Sequence, residues 1–221
     1  MKQDVQRESM MYQRKALGVL CMLLAPSCLL FGLFGIGQNL PKWYMSISST
    51  YYANSKAFMI GLLYAVSVFF FSYKGYDWRD RLCAIVEAIS AIGIVLFPCN
   101  TPGIPSNVGL FHLPVAVSHV IHCIFASVLF IAFDFNVLYL FRLSGPEPTK
   151  QKKLRNTIYL ICGIIILVFM LIQGLSGTKL FEFVPSWFPF TWFNEFIMLE
   201  AFGFAYIVKS QAISKLNDKE N

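Results

Sequence analysis

The chain has 221 residues, 57% of them hydrophobic and 14% charged, with a mean hydropathy of +0.59 and a formal net charge of +6. Soluble domains average roughly 45–50% apolar and about 25% charged residues, so this composition excludes a soluble globular fold. It also excludes nucleic acid as a partner, because the basic residues stand between hydrophobic runs instead of forming one stripe.

Residues 1–15 form a polar, basic N-tail expected in the cytoplasm. The run 16–36 is longer than the 7 to 15 residue core of a signal peptide and lacks a small-residue cleavage site, so it reads as a retained first span. Pro26 is expected to kink it, and Gly32, Gly35 and Gly37 offer a smooth face for close packing. Residues 38–55, rich in Ser, Tyr and Asn, lie outside the hydrocarbon or cap a cavity. A second span covers 56–73 and ends in the charged connection KGYDWRDR; a third covers 82–98 and contains Glu87 and Ser90. The proline- and glycine-bearing loop CNTPGIPSNVGLFHL stops either flanking helix from continuing.

The fourth segment, residues 114–141, is long enough to cross a bilayer yet carries Ser118, His119, His122, Asp134 and Asn136. A spanning helix needs roughly 20 apolar residues, and an ionisable group near its centre costs about 2.5–3.5 kcal/mol or more, so this helix should face protein or a wet cavity. The basic connection RLSGPEPTKQKKLRN leads to a fifth span, 157–175, nearly free of ionisable groups and read as a lipid-facing scaffold. The aromatic stretch SGTKLFEFVPSWFPF is too interrupted to span and reads as interfacial. A sixth span, 191–209, carries Asn194, Glu195 and Glu200, and residues 210–221 form a polar C-tail.

The expected fold is therefore all-α, a six-helix integral membrane bundle over residues 16–209. Six spans place both termini on one side. That side holds Lys2, Arg7, Arg14, Lys15, Lys74, Arg79, Arg81, Arg142, Lys150, Lys152, Lys153, Arg155, Lys209, Lys215 and Lys219, against Lys42, Lys56 and Lys179 on the other. The asymmetry predicts cytoplasmic termini and a multi-pass protein of the inner membrane. Trp43, Trp78, Trp187 and Trp192 all fall at expected interfaces, as an aromatic belt would have them. Asp134 is expected to contact Arg142 near the cytoplasmic surface. Five of the six cysteines lie within hydrophobic runs and no C-x-x-C occurs, which supports neither a disulfide framework nor a cysteine zinc site.

From the rise of about 1.5 Å per residue, His122 and Glu195 both fall roughly 7 Å to the outer side of the midplane, Glu200 near the centre, and Glu87 and Asp134 on the inner side. His119 and His122 share a helix face, and Ser118 lies one turn before His122. Ser48, Tyr51 and Tyr52, with Ser46, Ser49 and Asn54, could close over the same mouth. Three readings follow. The polar groups lock helices together as a buried network. Alternatively Ser48, Tyr51, Tyr52, Glu87, Ser118, His119, His122, Glu195 and Glu200 line an outward-opening pocket for a lipid-like or small amphiphilic molecule, in an accessory, non-enzymatic role without a cofactor. In the third reading His119, His122 and Glu195 hold a zinc ion that activates water for hydrolysis of a lipid amide or ester. A proton-coupled carrier using Glu87 and Glu200 is a further alternative. Membrane lipids are the expected partners.

The stretch SISSTYY before the second span, YKGYDWRD, the LFP of Leu96 to Pro98, His122, and the E-x-x-x-x-E-A-F-G of Glu195 to Gly203 together resemble a family of small bacterial polytopic membrane proteins classed as a domain of unknown function. That resemblance covers about residues 46–209 and implies a six-helix inner-membrane protein. A weaker likeness is to the membrane hydrolase and receptor superfamily that includes alkaline ceramidases, which places a Ser, an Asp and three His around zinc. Where that pattern has H-x-x-x-H in the last helix, this chain has Glu195 and Glu200, and it has six expected spans instead of seven.

Overall fold

The computed structural model describes residues 2–35 and 39–218. Gly37 and Lys219 lie outside the described residues, as do Ile36 and Gln38. The chain is all-helical, with α1 (Lys2–Phe34), α2 (Lys56–Ser72), α3 (Trp78–Leu96), α4 (Val115–Leu138), α5 (Lys150–Leu175) and α6 (Phe190–Lys209) among the described residues. Segments within α1, α4 extended to Arg142, and α5 are long and apolar enough to cross a membrane: Val5–Phe34, Val115–Arg142 and Lys150–Leu175. α2 is apolar but has only 17 residues. In α3 and α6 the apolar run is broken by Asp80, Arg81 and Glu87, and by Glu195 and Glu200.

Helix boundaries follow local chemistry. Asp77 caps α3, its side chain accepting from the backbone N–H of Arg79 and Asp80 at 2.9 and 3.0 Å. Thr149 caps α5 by accepting from Lys152 N at 3.1 Å. α1 starts at Lys2 instead of Ala16, so the basic N-tail is a helical extension of about 21 Å at 1.5 Å per residue. It runs on through Pro26. The loop after α3 contains one element the sequence did not suggest, an antiparallel pairing of β1 (Asn107–Val108) with β2 (Leu113–Pro114). Gly109 turns this hairpin at φ +74°, and a Cβ there would come within 2.8 Å of Pro98 Cδ.

Each helix packs on its neighbours in sequence and α6 returns to α1, closing a ring, while α4 also touches α6 across it. Aromatic rings from three helices fill the middle. Phe133 of α4 stacks on Phe202 of α6 with centroids 3.5 Å apart, Phe70 of α2 lies against both, and Tyr206 meets Phe202 at 4.9 Å. α1 and α6 pack backbone against backbone, because a Cβ on Gly18 would fall 2.7 Å from Gly203 O and one on Gly203 the same distance from Gly18 O.

The distribution of polarity is inverted relative to a soluble protein. Val68 and Val120 are 61% and 59% exposed, whereas Glu87 is fully buried. Such an exterior suits hydrocarbon better than water.

Two local expectations are corrected. Gly32 and Gly35 do not receive neighbouring helices; the Trp43 ring sits on Gly32 and the Asn54 side chain on Gly35. Trp43 is accordingly buried, because a glycine face accepts a flat ring. Asp134 does not meet Arg142. The two are eight residues apart, about 12 Å along a helix axis, and Arg142 turns back to donate to Leu138 O at 3.2 Å.

Candidate functional site: the cavity beneath residues 39–55

Residues 39–55 close one end of the helix ring, which we call the His122 end. Their shape is set locally by paired serines. Ser46 N donates to Ser49 Oγ and Ser49 N to Ser46 Oγ, both at 2.9 Å, and this reciprocal pair leads into a short 3-10 turn, Ser48–Tyr52. Several bonds then fasten the segment to the rest of the protein, among them Asn39 Nδ2 to Gly32 O of α1 at 2.8 Å. Ile47 N donates to Glu195 Oε2 at 2.7 Å, Trp192 N to Met45 O at 3.0 Å, Tyr52 OH to Cys99 O at 3.0 Å, and Ser48 Oγ bonds His122 Nε2 at 3.0 Å.

The His122 bonds fix the imidazole. Nδ1 lies 2.8 Å from Phe97 O, which can only accept, so in the neutral ring the proton sits on Nδ1. Nε2 is then left to accept the Ser48 hydroxyl proton. His119 is less enclosed, and its Nδ1 accepts from Asn100 N at 3.2 Å. Around the rim, burial pushes the Tyr52 phenol well above its ordinary value, so it stays a donor. Burial foremost, with the charge of Glu195 adding, pushes the Cys99 thiol up to about 12, which keeps it protonated and unreactive.

Beneath the segment lies a cavity of about 660 Å³. Its upper wall is polar, with Ser48, His119, His122, Gln173, Thr191 and Glu195, and its lower wall is apolar, with Ala126, Phe130, Met170 and Met198. Of the nine pocket residues expected from sequence, Ser48, His119, His122 and Glu195 line this cavity.

The other five lie elsewhere. Ser118 turns away to donate to Pro98 O at 2.8 Å, since a hydroxyl next to a helix start finds a loop carbonyl first. Tyr51 carries the Lys56 ammonium 4.2 Å from its ring centroid, and the Tyr52 hydroxyl is spent on Cys99 O. Glu200 lies more than one turn along α6 from Glu195, outside the lining. Glu87 is deep between α3 and α4, where Asn136 Nδ2 donates to Oε1 at 3.0 Å and to the Tyr206 hydroxyl at 3.2 Å.

His119, His122 and Glu195 do not converge as metal ligands: among the described residues no three His, Cys, Asp or Glu side chains form such a group. Each of the three instead holds the backbone or hydroxyl partner given above.

Gln173 escaped the sequence reading. Its Oε1 accepts from Asn194 Nδ2 at 2.9 Å and its Nε2 donates to Thr191 Oγ1 at 3.2 Å, joining α5 to α6 at the cavity wall. A lone amide in an otherwise apolar run was the available signal. Comparison with protein-family models, with curated proteins and with solved structures gives no match for this chain.

Proposed function

We propose that the chain crosses a bacterial-type inner membrane six times with both termini in the cytoplasm, and that the cavity at its outer end binds a lipid-like or small amphiphilic molecule in a non-enzymatic role. The fifteen-to-three distribution of Lys and Arg supports the orientation. One observation carries the binding reading. The cavity, at about 660 Å³, falls in the roughly 300–1,000 Å³ range of small-molecule sites and divides a polar wall from an apolar one, as an amphiphile does. The head group would meet Ser48, His119, Gln173 and Glu195, and the chain would lie against Phe130, Met170 and Met198.

Native mass spectrometry of protein released from mild detergent tests this. The wild type should retain a lipid-like adduct that Ala126→Trp, which fills the floor, loses while keeping its unfolding temperature. An adduct retained equally by both proteins would overturn the reading, as would a wild type that neither carries one nor binds a fluorescent fatty acid.

A hydrolytic role has one specific observation in its favour, the Ser48–His122 pair opening on the same cavity. In that role Ser48 Oγ attacks the carbonyl carbon of an ester or amide while its proton passes to His122 Nε2. The proton then goes to the departing alcohol or amine, and water releases the acyl group from Ser48. The Phe97 carbonyl holds the ring in the required tautomer. An alkyl fluorophosphonate should label Ser48 in the wild type and not in Ser48→Ala, with labelling much reduced in His122→Gln. Absence of labelling in the wild type leaves the binding role alone.

A further inference from the structure

The opposite end of the ring, where α1 and α5 begin and α6 ends, carries a second and chemically different cavity of about 250 Å³. Its walls come from Tyr76 in the α2–α3 connection, Lys152, Arg155 and Tyr159 of α5, Lys209 of α6, and Gln211 just beyond. At about 30 Å³ per water, the space holds roughly eight waters' worth of volume.

The charges around it are unbalanced. Arg14 is fully buried behind the wall and finds no carboxylate among the described residues. Its Nε and Nη2 donate to Tyr73 OH at 3.0 and 2.9 Å, and its Nη1 donates to Tyr76 OH at 3.0 Å. Lys152 Nζ and Lys209 Nζ both donate to one acceptor, Phe141 O, at 2.9 and 3.3 Å. Both ammoniums stand 5.9 Å from the Tyr159 ring centroid, and Lys209 Nζ is also 5.5 Å from that of Tyr76. Among the described residues two carboxylates are near: Asp218 Oδ2 pairs with Arg155 Nη2 at 2.9 Å, and Asp80 Oδ2 accepts from Tyr76 N at 2.7 Å.

Among the described residues four cations therefore share a small space with two carboxylates, which leaves an excess of two positive charges. Like charges repel strongly at the edge of a low-dielectric interior, and an anion among them removes that cost. The donors are also in surplus. An ammonium has three N–H groups, so Lys152 and Lys209 each keep two beyond the Phe141 bond, and Tyr76, which accepts from Arg14, keeps its own hydroxyl proton to donate.

We infer that this cavity is a binding site for a phosphate-type anion, held by Lys152, Lys209, Arg155 and the Tyr76 hydroxyl, with Arg14 supplying charge from behind. Mixed Lys and Arg donors around a tetrahedral oxyanion give charge-assisted bonds from several directions. The same chemistry belongs to the head group of an anionic phospholipid and to a free phosphorylated solute, and the position at the helix ends suits either.

The test uses the full chain in nanodiscs of zwitterionic lipid, following unfolding temperature while inorganic phosphate is titrated in solution, and separately while phosphatidic acid replaces part of the bilayer. Either anion should raise the unfolding temperature of the wild type. A response to phosphatidic acid alone assigns a lipid ligand, and a response to inorganic phosphate assigns a soluble one. The apparent affinity should fall roughly tenfold or more in Lys209→Gln and in Lys152→Gln, and remain unchanged in Lys179→Gln at the other end of the molecule. If Lys209→Gln fails to fold, Lys152→Gln at the half-exposed rim makes the same comparison. Failure of both anions to stabilise the wild type would overturn the inference, as would equal stabilisation of wild type and Lys152→Gln.

Discussion

Glu87 sits midway along α3 with Asn136 Nδ2 on one carboxyl oxygen and no partner on the other. The Cys83 thiol, 3.7 Å from the same oxygen as Asn136, completes its surroundings. Burying such a group is costly unless it is bonded, and Asn136 supplies most of that bonding while also reaching Tyr206 on α6. Asn136→Leu should therefore destabilise the protein by about 1–3 kcal/mol, read as a lower unfolding temperature in detergent. An unchanged unfolding temperature would mean that Asn136 does not support Glu87. That Glu87 must point inward was legible from sequence, because hydrocarbon offers it nothing. Its partner was not legible: Asn136 is 49 residues away, and only the packing of α3 on α4 brings the two together.

Among the elements, α1 and α6 pack backbone against backbone, and their approach rests on Gly18 and Gly203. A side chain at either position must displace the opposing backbone carbonyl, which a packed helix cannot yield cheaply. Gly203→Leu is expected to separate the two helices and cost well over the roughly 1–3 kcal/mol of ordinary overpacking. Gly61→Ala in α2 is the matched control. Nothing lies within 4 Å of a Cβ there, and removing a helical glycine should gain about 0.5–1 kcal/mol. Thermal unfolding of the two variants should move in opposite directions, and a shared direction would contradict the packing described. Some helix limits were readable: the expected second span, 56–73, compares with Lys56–Ser72, and the expected sixth, 191–209, with Phe190–Lys209, whereas α1 starts at Lys2 instead of Ala16 and α5 at Lys150 instead of Thr157. Apolar runs ending at proline, glycine and charge leave little freedom. Which glycine faces which element is not readable, since nothing in the local pattern separates Gly18, which meets the α6 backbone, from Gly32 and Gly35, which meet the Trp43 and Asn54 side chains.

At the scale of the whole molecule, two ends of opposite character are joined by an apolar barrel of helices. At the Lys209 end the segment after α6 is held by Arg155, which donates to Asp218, and by Thr149, whose hydroxyl bonds the same side chain. The Thr149 bond, then Arg155, keep the Asp218 carboxyl below its ordinary value. A carboxyl depressed by folding contributes stability that is present above its unfolded pKa of about 3.9 and is lost as pH falls through the lower folded value. Protection of the Ser214–Leu216 amides, their exchange relative to the intrinsic rate at each pH, should accordingly fall below about pH 3.9, and Asp218→Asn should show the lower protection already at neutral pH. The proposed orientation has its own check. In a cysteine-free background, Lys179→Cys should react with an impermeant maleimide on intact cells and Lys150→Cys only after permeabilisation. The reverse pattern would invert the molecule and move the larger cavity to the cytoplasmic side.

The sequence by itself determined the helical class, the apolar centre of each of the six helices, the inward turn of Glu87 and His122, and the uneven distribution of basic charge, because each follows from local hydropathy and from the cost of placing charge in hydrocarbon. Tertiary structure alone decided which polar groups meet. Ser48 reaches His122 across 74 residues, Glu195 takes an amide proton from Ile47, and Arg14 joins Tyr73, because a ring of helices brings together positions that no periodicity relates.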